Sequence, residues 1–370
     1  MSNVNCVLPF HHLFIGPGND VKPCCMFNLD SKDQIKYSGN EDLFQGNIFE
    51  NIRSNIREGI PVAGCSRCYH QDTMSGDSYR TIFLKKYKET AGVDFTPPSK
   101  GELVFLEISF SNACNNRCRM CNSNYSTNWY GDAKKIGLHI PVKGLIETDT
   151  ALKNLDLKKL KFIKISGGEP LMEQQKIIDL LTNCSLENVD LWLNTNATMR
   201  PTAELMEIFK KCQSVEVNLS IDAYGDLNDF LRKGSKWAEV ENNLKWFYDN
   251  FKKIGIHSTI TIYNVNCYDK LIDYIKTNFP RITHEFMMVF ELEWMKISNL
   301  SDNAKIKVKE KNLEFKEKYN LPITDFILKD LNSKGDLSLF LTMDKKLNDI
   351  RNENWLSCNK ELYDWVHTLN

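Results

Sequence analysis

Apolar segments and helical segments alternate along most of this chain, and this alternation limits the folds open to it. Six apolar runs lie at residues 103–110, 160–165, 189–193, 215–221, 256–262 and 285–292. Helical patterns lie between and after them, at residues 123–136, 173–183, 202–212, 236–253, 268–278 and 301–318. Strands that alternate with helices form a parallel sheet with right-handed crossovers. The sequence therefore predicts an α/β fold, with too few units for a complete eight-stranded barrel.

Three cysteines follow the first of these predicted strands. Cys114, Cys118 and Cys121 have the spacing Cys-x3-Cys-x2-Cys. Three thiolates can bind three irons of a [4Fe-4S] cluster and leave the fourth iron open to a small molecule. A closed zinc site needs a fourth ligand, and no cysteine or histidine stands between Cys121 and His139. The spacing therefore favours an iron-sulfur cluster with one open iron.

A second set of cysteines lies within residues 1 to about 100. Pro17-Gly18-Asn19-Asp20 predicts a hairpin that returns the chain towards its start, and a helix is expected over residues 41–59. Four thiolates can enclose either a complete [4Fe-4S] cluster or a tetrahedral zinc, and spacing does not choose between them. Cys24 is favoured over Cys25 because it directly follows the Val-x-Pro run. The candidate ligands are Cys6, Cys24, Cys65 and Cys68.

Small polar motifs follow the later predicted strands. Two glycines allow the backbone to approach a ligand, and nearby carbonyls with Glu169 suit an ammonium group. A simple turn at Gly167 to Pro170, a helix cap at Asp222 and an exposed helix charge at Arg232 are the structural alternatives. Because ligands of parallel sheets bind at the carboxyl ends of strands, these positions are candidate binding residues. They are Gly167, Gly168, Glu169, Pro170, Asn196, Ser220, Asp222 and Arg232.

The three-cysteine motif together with Gly167-Gly168-Glu169-Pro170 resembles the signature of the radical S-adenosylmethionine (radical SAM) superfamily. This resemblance implies a partial (β/α)6 TIM-like barrel over residues 101–292 and a [4Fe-4S] cluster that chelates SAM through its open iron. It also implies that the Gly-Gly-Glu-Pro motif contacts the SAM amino group. Asn196, Ser220, Asp222 and Arg232 are then further candidate SAM contacts.

Residues 1–100 resemble a twitch module, the shorter relative of the SPASM domain. That resemblance implies an auxiliary [4Fe-4S] cluster on the second cysteine set, here placed before the barrel. Residues 293–370, with an aromatic-rich end, are expected to form a helical extension that packs on the barrel. Thr96-Pro97-Pro98-Ser99 is the expected joint between the first two domains.

Composition excludes several other classes of protein. The chain has 370 residues, a formal net charge of −1 and 26% charged residues, so we expect neither nucleic acid nor a lipid surface as a partner. No run reaches the ~18 apolar residues that a membrane span needs, and the start of the chain carries no export signal. We therefore expect a cytoplasmic protein whose cysteines serve metal binding rather than disulfides.

The remaining candidates are glutamates and histidines outside these motifs. Glu291 and Glu293 lie at the end of the sixth predicted strand, where either carboxylate can bind substrate or transfer a proton, with a surface role as the alternative. Glu291 is the candidate catalytic residue. His11 and His12 alternate faces, so at most one can point at the auxiliary metal. His70 is a candidate second-layer partner of the same site.

The resemblance implies an enzyme that cleaves SAM reductively and abstracts a substrate hydrogen atom. We expect oxidation or crosslinking of a peptide or protein side chain, with a low-potential reductant such as flavodoxin or ferredoxin. A small-molecule dehydrogenase or carbon-skeleton enzyme is the first alternative. A non-catalytic iron-sulfur electron-transfer protein and a zinc protein are alternatives from other classes.

Overall fold

A computed structural model describes residues 4–18, 20–28, 35–36, 43–75, 78–138, 140, 148, 152, 155–289 and 292–367. The strands in chain order are β1 His12–Gly16, β2 Asp20–Lys22, β3 Ile35–Lys36, β4 Phe105–Ser109, β5 Phe162–Ser166, β6 Asp190–Thr195, β7 Ser214–Ser220, β8 Lys253–Ile260 and β9 Thr283–Met288. The helices are α1 Leu8–His11, α2 Asn47–Arg57, α3 Ser66–Ser75, α4 Tyr79–Ala91, α5 Tyr130–Ile136, α6 Gln174–Leu181, α7 Ala203–Phe209, α8 Asp226–Leu231, α9 Trp237–Asn250, α10 Asp269–Asn278, α11 Asp302–Tyr319, α12 Pro322–Leu331, α13 Leu337–Arg351 and α14 Lys360–His367.

The chain divides into two compact units. The first comprises residues 1–112, 145–193 and 201–215, and the second comprises residues 113–144, 194–200 and 216–370. In the described parts of both units, no helix is long and apolar enough to cross a membrane.

The first unit is built on strands β1 to β6. β4 pairs in parallel with β1 and with β5, and β5 pairs in parallel with β6. β1 and β2 form the antiparallel hairpin that the Pro-Gly-Asn-Asp sequence predicts, with Phe14 opposite Lys22. β1 lies in the segment assigned by sequence to a separate N-terminal module, yet it joins the sheet of the β/α strands. This pairing was not predicted, because the short β1 run carries no signal that names its partner strand.

The second unit contains the parallel strands β7, β8 and β9. Ser220 lies opposite His257, and His257 lies opposite Glu285. A core of apolar side chains from α8, the segment after β8 and the C-terminal helices includes Leu231, Tyr263 and Phe340. The C-terminal residues therefore share one core with residues of the predicted barrel.

All six predicted β/α strands are present, so the α/β class is confirmed. The bounds differ most at the last two strands, predicted at residues 256–262 and 285–292 and observed at Lys253–Ile260 and Thr283–Met288. The apolar side chains of Ile262 and Val289 mimic strand residues in the sequence but pack into the core as loop residues. The predicted helix at 41–59 is observed as α2, and residues 41–42 lie outside the described residues.

A buried charge cluster joins three strands of the first unit. Glu107 of β4 is 2% exposed, and its carboxylate lies 2.8 Å from Lys164 Nζ of β5 and 3.5 Å from His12 Nε2 of β1. His12 Nδ1 lies 2.7 Å from the Pro23 carbonyl oxygen. Burial alone would raise the pKa of Glu107, but Lys164 and His12 outweigh it and hold this pKa at about 2. The carboxylate is therefore ionised in the folded protein.

This cluster predicts a pH-dependent contribution to stability. Because the folded pKa of Glu107 lies below its unfolded value, the contribution is present above about pH 4.5 and is lost as the pH falls towards 2. Glu107→Gln should lower the free energy of unfolding by about 3 kcal/mol at pH 6 and by much less near pH 3. Urea titrations at several pH values measure this difference. The control Glu207→Gln removes the charge of an exposed ion pair with Lys210. It should change the free energy of unfolding by only ~0–1 kcal/mol. An equal loss at pH 3 and pH 6 would contradict the assignment.

Candidate iron-sulfur site

The three-cysteine loop follows β4 and has no regular secondary structure between Ala113 and Cys118. Cys114 is buried, and Cys118 and Cys121 are half-buried. Burial raises the pKa of Cys121, and the neighbouring Cys118 and Cys114 thiols raise it further. The three thiols therefore lie close enough together to interact electrostatically.

Backbone hydrogen bonds fix the shape of this loop. The amides of Arg117 and Arg119 donate to the carbonyl oxygens of Lys233 and Leu231, both at 2.7 Å. The indole Nε1 of Trp129 donates to the Cys118 carbonyl oxygen, also at 2.7 Å. The loop is thus held by the segment after α8 and by a turn that follows the loop itself.

Gly234 permits this close approach. Its φ is +112°, a value that side chains other than glycine rarely adopt. A Cβ atom at this position would lie 2.6 Å from the Asn115 carbonyl oxygen. Glycine is therefore required both by the backbone conformation and by the contact with the cysteine loop.

Arg232 places a buried cation beside the loop. Its Nη1 lies 3.9 Å from Cys118 Sγ, and its Nε lies 2.6 Å from Asp222 Oδ2. Burial tends to lower the pKa of Arg232, but Asp222 and Cys118 act against it and the net pKa is raised. Asp222 also accepts a hydrogen bond from the Thr259 amide at 2.7 Å. Asp222 is not the cap of α8, whose N-cap is Gly225.

Two asparagines and a threonine form a polar group next to the first cysteine. Asn196 Nδ2 donates to Asn115 Oδ1 at 2.7 Å, and Thr198 Oγ1 donates to Asn196 Oδ1 at 2.6 Å. The neighbouring Asn116 is fully buried, and neither its Oδ1 nor its Nδ2 has a hydrogen-bond partner among the residues that the structure describes. Unpaired buried amides are costly, so a polar ligand in this loop fits the residues present. Ser220 is half-buried at the end of β7.

The Gly-Gly-Glu-Pro motif lies in the first unit, directly after β5. Gly167 has φ +127°, and a Cβ there would lie 3.0 Å from Ser109 Oγ. The Gly168 amide donates to the Ser111 carbonyl oxygen at 3.2 Å. Glu169 is 1% exposed, its Oε1 accepts from the Leu171 amide at 3.0 Å, and Pro170 begins a 3-10 turn. The motif therefore forms a capped turn, and its contact with SAM stays a prediction.

The second cysteine set comes together within the first unit. One cavity is lined by four thiols and by Arg80, and the set of thiols is Cys6, Cys24, Cys65 and Cys68. Burial raises the pKa of Cys6; Cys65 and Cys68 raise it further, whereas Arg80 lowers it. Gly64 allows the two cysteine segments to meet, because a Cβ there would lie 2.2 Å from the Phe27 ring.

Cys25 lies outside the residues that line this cavity. Its thiol interacts with the side chains of Glu107 and Tyr79. Burial and Glu107 raise the pKa of Cys25 to about 12. Cys25 therefore belongs to the buried charge cluster of β4, whereas its neighbour Cys24 belongs to the thiol cavity.

Both cysteine sets supply ligands of the type that binds iron-sulfur clusters. Within the described part of the chain, no three His, Cys, Asp or Glu side chains are arranged to share a single metal ion. A four-iron cluster differs from a single ion because it binds each thiolate through a different iron.

The remaining candidates lie elsewhere. His11 and His12 contact Glu102 and the charge cluster of β4, and His70 is exposed. Glu293 is exposed and pairs with Lys296 at 2.6 Å. Glu291, the candidate catalytic residue, lies outside the described residues.

Sequence reasoning missed four residues that hold the sites: Arg80, Arg119, Asp132 and Gly234. The sequence offered one signal, the two arginines Arg117 and Arg119 inside the three-cysteine motif. A buried arginine needs an acidic partner, so these two residues indicated that carboxylates lie nearby. Those partners lie far along the chain, and spacing alone does not identify them.

Comparison with protein families gives one match. Residues 108–277 match the model described as the radical SAM superfamily. A little under half of this chain is thus similar to a radical SAM domain. The cysteine loop, β5 with its Gly-Gly-Glu-Pro turn, and strands β6 to β8 all fall within the matched residues.

Solved structures give weaker similarities. The structure "Native anSMEcpe with bound AdoMet" is 18% identical, with a TM-score of 0.42, and the match covers 64% of this chain and 63% of that chain. The structure of Streptococcus suis SuiB bound to S-adenosylmethionine is 18% identical, with a TM-score of 0.37 and coverage of 68% and 61%. The chain thus spans less than two thirds of the length of these structures. No curated protein sequence matches the chain.

The close contact at Gly234 predicts that its substitution disturbs the cysteine loop. Gly234→Ala should lower the free energy of unfolding by more than the about 1–3 kcal/mol of backbone strain alone, because the new methyl group also meets the Asn115 carbonyl. It should also lower the iron content after anaerobic reconstitution. Denaturant titration and iron analysis measure both effects.

Gly137→Ala is the matched control. Gly137 also has a positive φ, +74°, but no atom of another described residue lies within 4 Å of the added Cβ. This control should lose about 1–2 kcal/mol and keep its iron. If the two variants lost equal stability and iron, the contact with Asn115 would have no special role.

Proposed function

We propose that the chain is a radical SAM enzyme that binds a [4Fe-4S] cluster through Cys114, Cys118 and Cys121. One observation carries the proposal: within a radical SAM domain, three interacting thiols lie on a loop held by backbone hydrogen bonds. The unpaired amide of Asn116 and the cation of Arg232 in the same loop region support a bound polar, anionic group. Once bound and reduced, such a cluster would supply the single electron for reductive cleavage of SAM, the chemistry by which radical SAM enzymes abstract a hydrogen atom from their substrates.

The residues of the chain perform the supporting work. Burial and the adjacent thiols raise the pKa of Cys121, so this thiol is protonated without metal and binding of iron releases its proton. Burial raises the pKa of Cys118, and the cation of Arg232 limits this rise because it favours the thiolate form. Burial of the loop also limits access of water and oxygen.

We propose an auxiliary [4Fe-4S] cluster at Cys6, Cys24, Cys65 and Cys68. Oxidation of a substrate requires that the carbon radical formed by hydrogen abstraction lose one further electron and one proton. A cluster with four cysteine ligands has no open iron, so the role we propose for this site is to accept that electron. The shared thiol cavity and the cation of Arg80 support this assignment. The position of Cys25 outside the cavity supports Cys24 as the ligand.

For the substrate, we propose a peptide or protein side chain that is oxidised or crosslinked. This step rests on the resemblance of residues 6–80 to a twitch module, whose relatives often modify peptides. The first substrate to test is a short Cys-rich or Gly-rich peptide encoded beside this chain. Mass spectrometry should show the loss of two hydrogen atoms from it in the presence of SAM and a reductant of the flavodoxin or ferredoxin class.

Iron counting tests both cluster sites. After anaerobic reconstitution, the wild type should hold about eight irons and cleave SAM under dithionite. The variant Cys114→Ala/Cys118→Ala/Cys121→Ala should hold about four irons and cleave no SAM. A control variant, Cys184→Ala/Cys212→Ala/Cys358→Ala, changes three half-buried cysteines outside both sets and should behave as the wild type. A wild type that binds iron but does not cleave SAM would leave electron transfer as the better reading.

Adjacent cysteines provide a sharper test of the auxiliary site. Cys24→Ala should lower the iron content by up to about four, whereas Cys25→Ala should leave it unchanged because that thiol contacts Glu107 and Tyr79. Zinc in place of iron at this site would appear as about one zinc per chain by elemental analysis. Loss of iron in the Cys25 variant alone would contradict the assignment of Cys24.

A further inference from the structure

Arg119 lies between two of the candidate cluster ligands and points into the protein. It precedes Met120 and Cys121, and its side chain is fully buried. The guanidinium carbon lies 3.8 Å from the centre of the Phe230 ring. A cation buried on an aromatic face still needs hydrogen-bond acceptors for its N–H groups.

The C-terminal segment supplies these acceptors. Nη2 of Arg119 donates to Asn348 Oδ1 at 2.6 Å and to Glu353 Oε2 at 3.0 Å, and Nη1 lies 3.5 Å from Asp344 Oδ1. Asn348 and Asp344 are on α13, and Glu353 follows its end. These residues are more than 220 positions from Arg119 in the sequence, so folding of the C-terminal helix brings the partners together.

Each of the two carboxylates is itself held in place. Asp344 accepts hydrogen bonds from Tyr263 Oη at 2.6 Å and from the Trp355 indole at 3.1 Å. Glu353 Oε1 lies 2.6 Å from Lys233 Nζ. The Lys233 backbone carbonyl already accepts from the amide of Arg117 in the cysteine loop. Glu353 therefore links Arg119 of the cysteine loop with Lys233 of the segment after α8.

A second set of ion pairs also links α13 with the cysteine loop. Asp132 of α5 is 1% exposed and accepts from Arg117 at 3.1 Å and from Arg351 at 2.8 Å. The Arg351 guanidinium also lies over the Trp129 ring, whose indole donates to Cys118. Helix α13 is thus linked to the cysteine loop directly through Arg119 and indirectly, by way of Asp132, through Arg117.

We propose that residues Asp344 to Glu353 form a C-terminal clasp that positions the Cys118–Cys121 segment through Arg119. This proposal deepens the proposed function and rests on it, because the clasp sets the geometry of the cluster ligands. Arg119 is a positioning residue. Its planar fork contacts several acceptors at fixed angles, which a lysine ammonium does not reproduce.

The test compares two buried arginines. Arg119→Lys keeps the charge and removes the fork. Arg53→Lys is the matched control, since Arg53 is also fully buried, lies 4.3 Å from the centre of a phenylalanine ring, and donates to the carbonyl oxygens of Pro9 and Phe44. Both variants and the wild type are reconstituted anaerobically. Hydrogen exchange of the peptide covering residues 113–122 and the electron paramagnetic resonance (EPR) spectrum of the reduced protein are then measured.

The clasp predicts a local effect. In Arg119→Lys, exchange of peptide 113–122 should rise about tenfold, as expected for loss of one charge-assisted hydrogen bond, and the EPR signal of the cluster should broaden. In Arg53→Lys, neither the exchange of peptide 113–122 nor the EPR signal of the cluster should change. Equal exchange of peptide 113–122 in the wild type and Arg119→Lys would overturn the proposal.

A second variant keeps the test decisive if Arg119→Lys does not fold. Glu353→Gln retains an acceptor but removes the charge shared by Arg119 and Lys233, and it should raise exchange of the same peptide by about threefold. Unchanged exchange in Glu353→Gln would then overturn the clasp. Failure of the proposed function is separate, because a wild type that cleaves no SAM can still show the exchange difference, which needs no turnover.

Discussion

The three-cysteine loop depends on two backbone hydrogen bonds. The amides of Arg117 and Arg119 donate to the carbonyl oxygens of Lys233 and Leu231. These bonds satisfy backbone groups that have no partner within a helix or a strand. Because buried backbone groups must be paired, the segment from Leu231 to Gly234 has a fixed conformation. Gly234, with φ +112°, ends this segment.

Charge is organised around the same loop. Arg232 lies beside Cys118 and is balanced by Asp222, which in turn accepts from the Thr259 amide of β8. Removal of one partner from a buried ion pair leaves an uncompensated charge and is strongly destabilising. The cation near the thiols is therefore held in place by the strand end rather than by the loop.

Different contacts shape the N-terminal cysteine segments. Two short segments, one at Phe27 and one before α3, approach each other closely enough that only glycine fits at position 64. The hairpin strand β1 extends the parallel sheet by pairing with β4. The charge cluster of Glu107, Lys164 and His12 ties β1, β4 and β5 together across their side chains.

Local patterns in the sequence were sufficient for much of this structure. Apolar periodicity located the six β/α strands, and turn chemistry located the β1–β2 hairpin, because both depend on neighbouring residues. Motif spacing predicted Cys114, Cys118 and Cys121 as cluster ligands, and the Val-x-Pro run favoured Cys24 over Cys25. The partners of Arg119 and Glu107 could not be predicted, because Asp344, Glu353 and His12 are distant in sequence and meet them only in the folded chain. Their charges alone resemble ordinary surface residues.

The proposed function requires that a cluster on Cys114, Cys118 and Cys121 bind SAM at an open iron. The EPR spectrum of the dithionite-reduced Cys24→Ala/Cys65→Ala variant, which lacks two of the auxiliary ligands, tests this requirement when it is recorded with and without SAM. We expect a [4Fe-4S]⁺ signal whose g-values shift when SAM is added, because the ligands of one iron change. A signal that is absent, or that is identical with and without SAM, would show that SAM does not bind to this cluster.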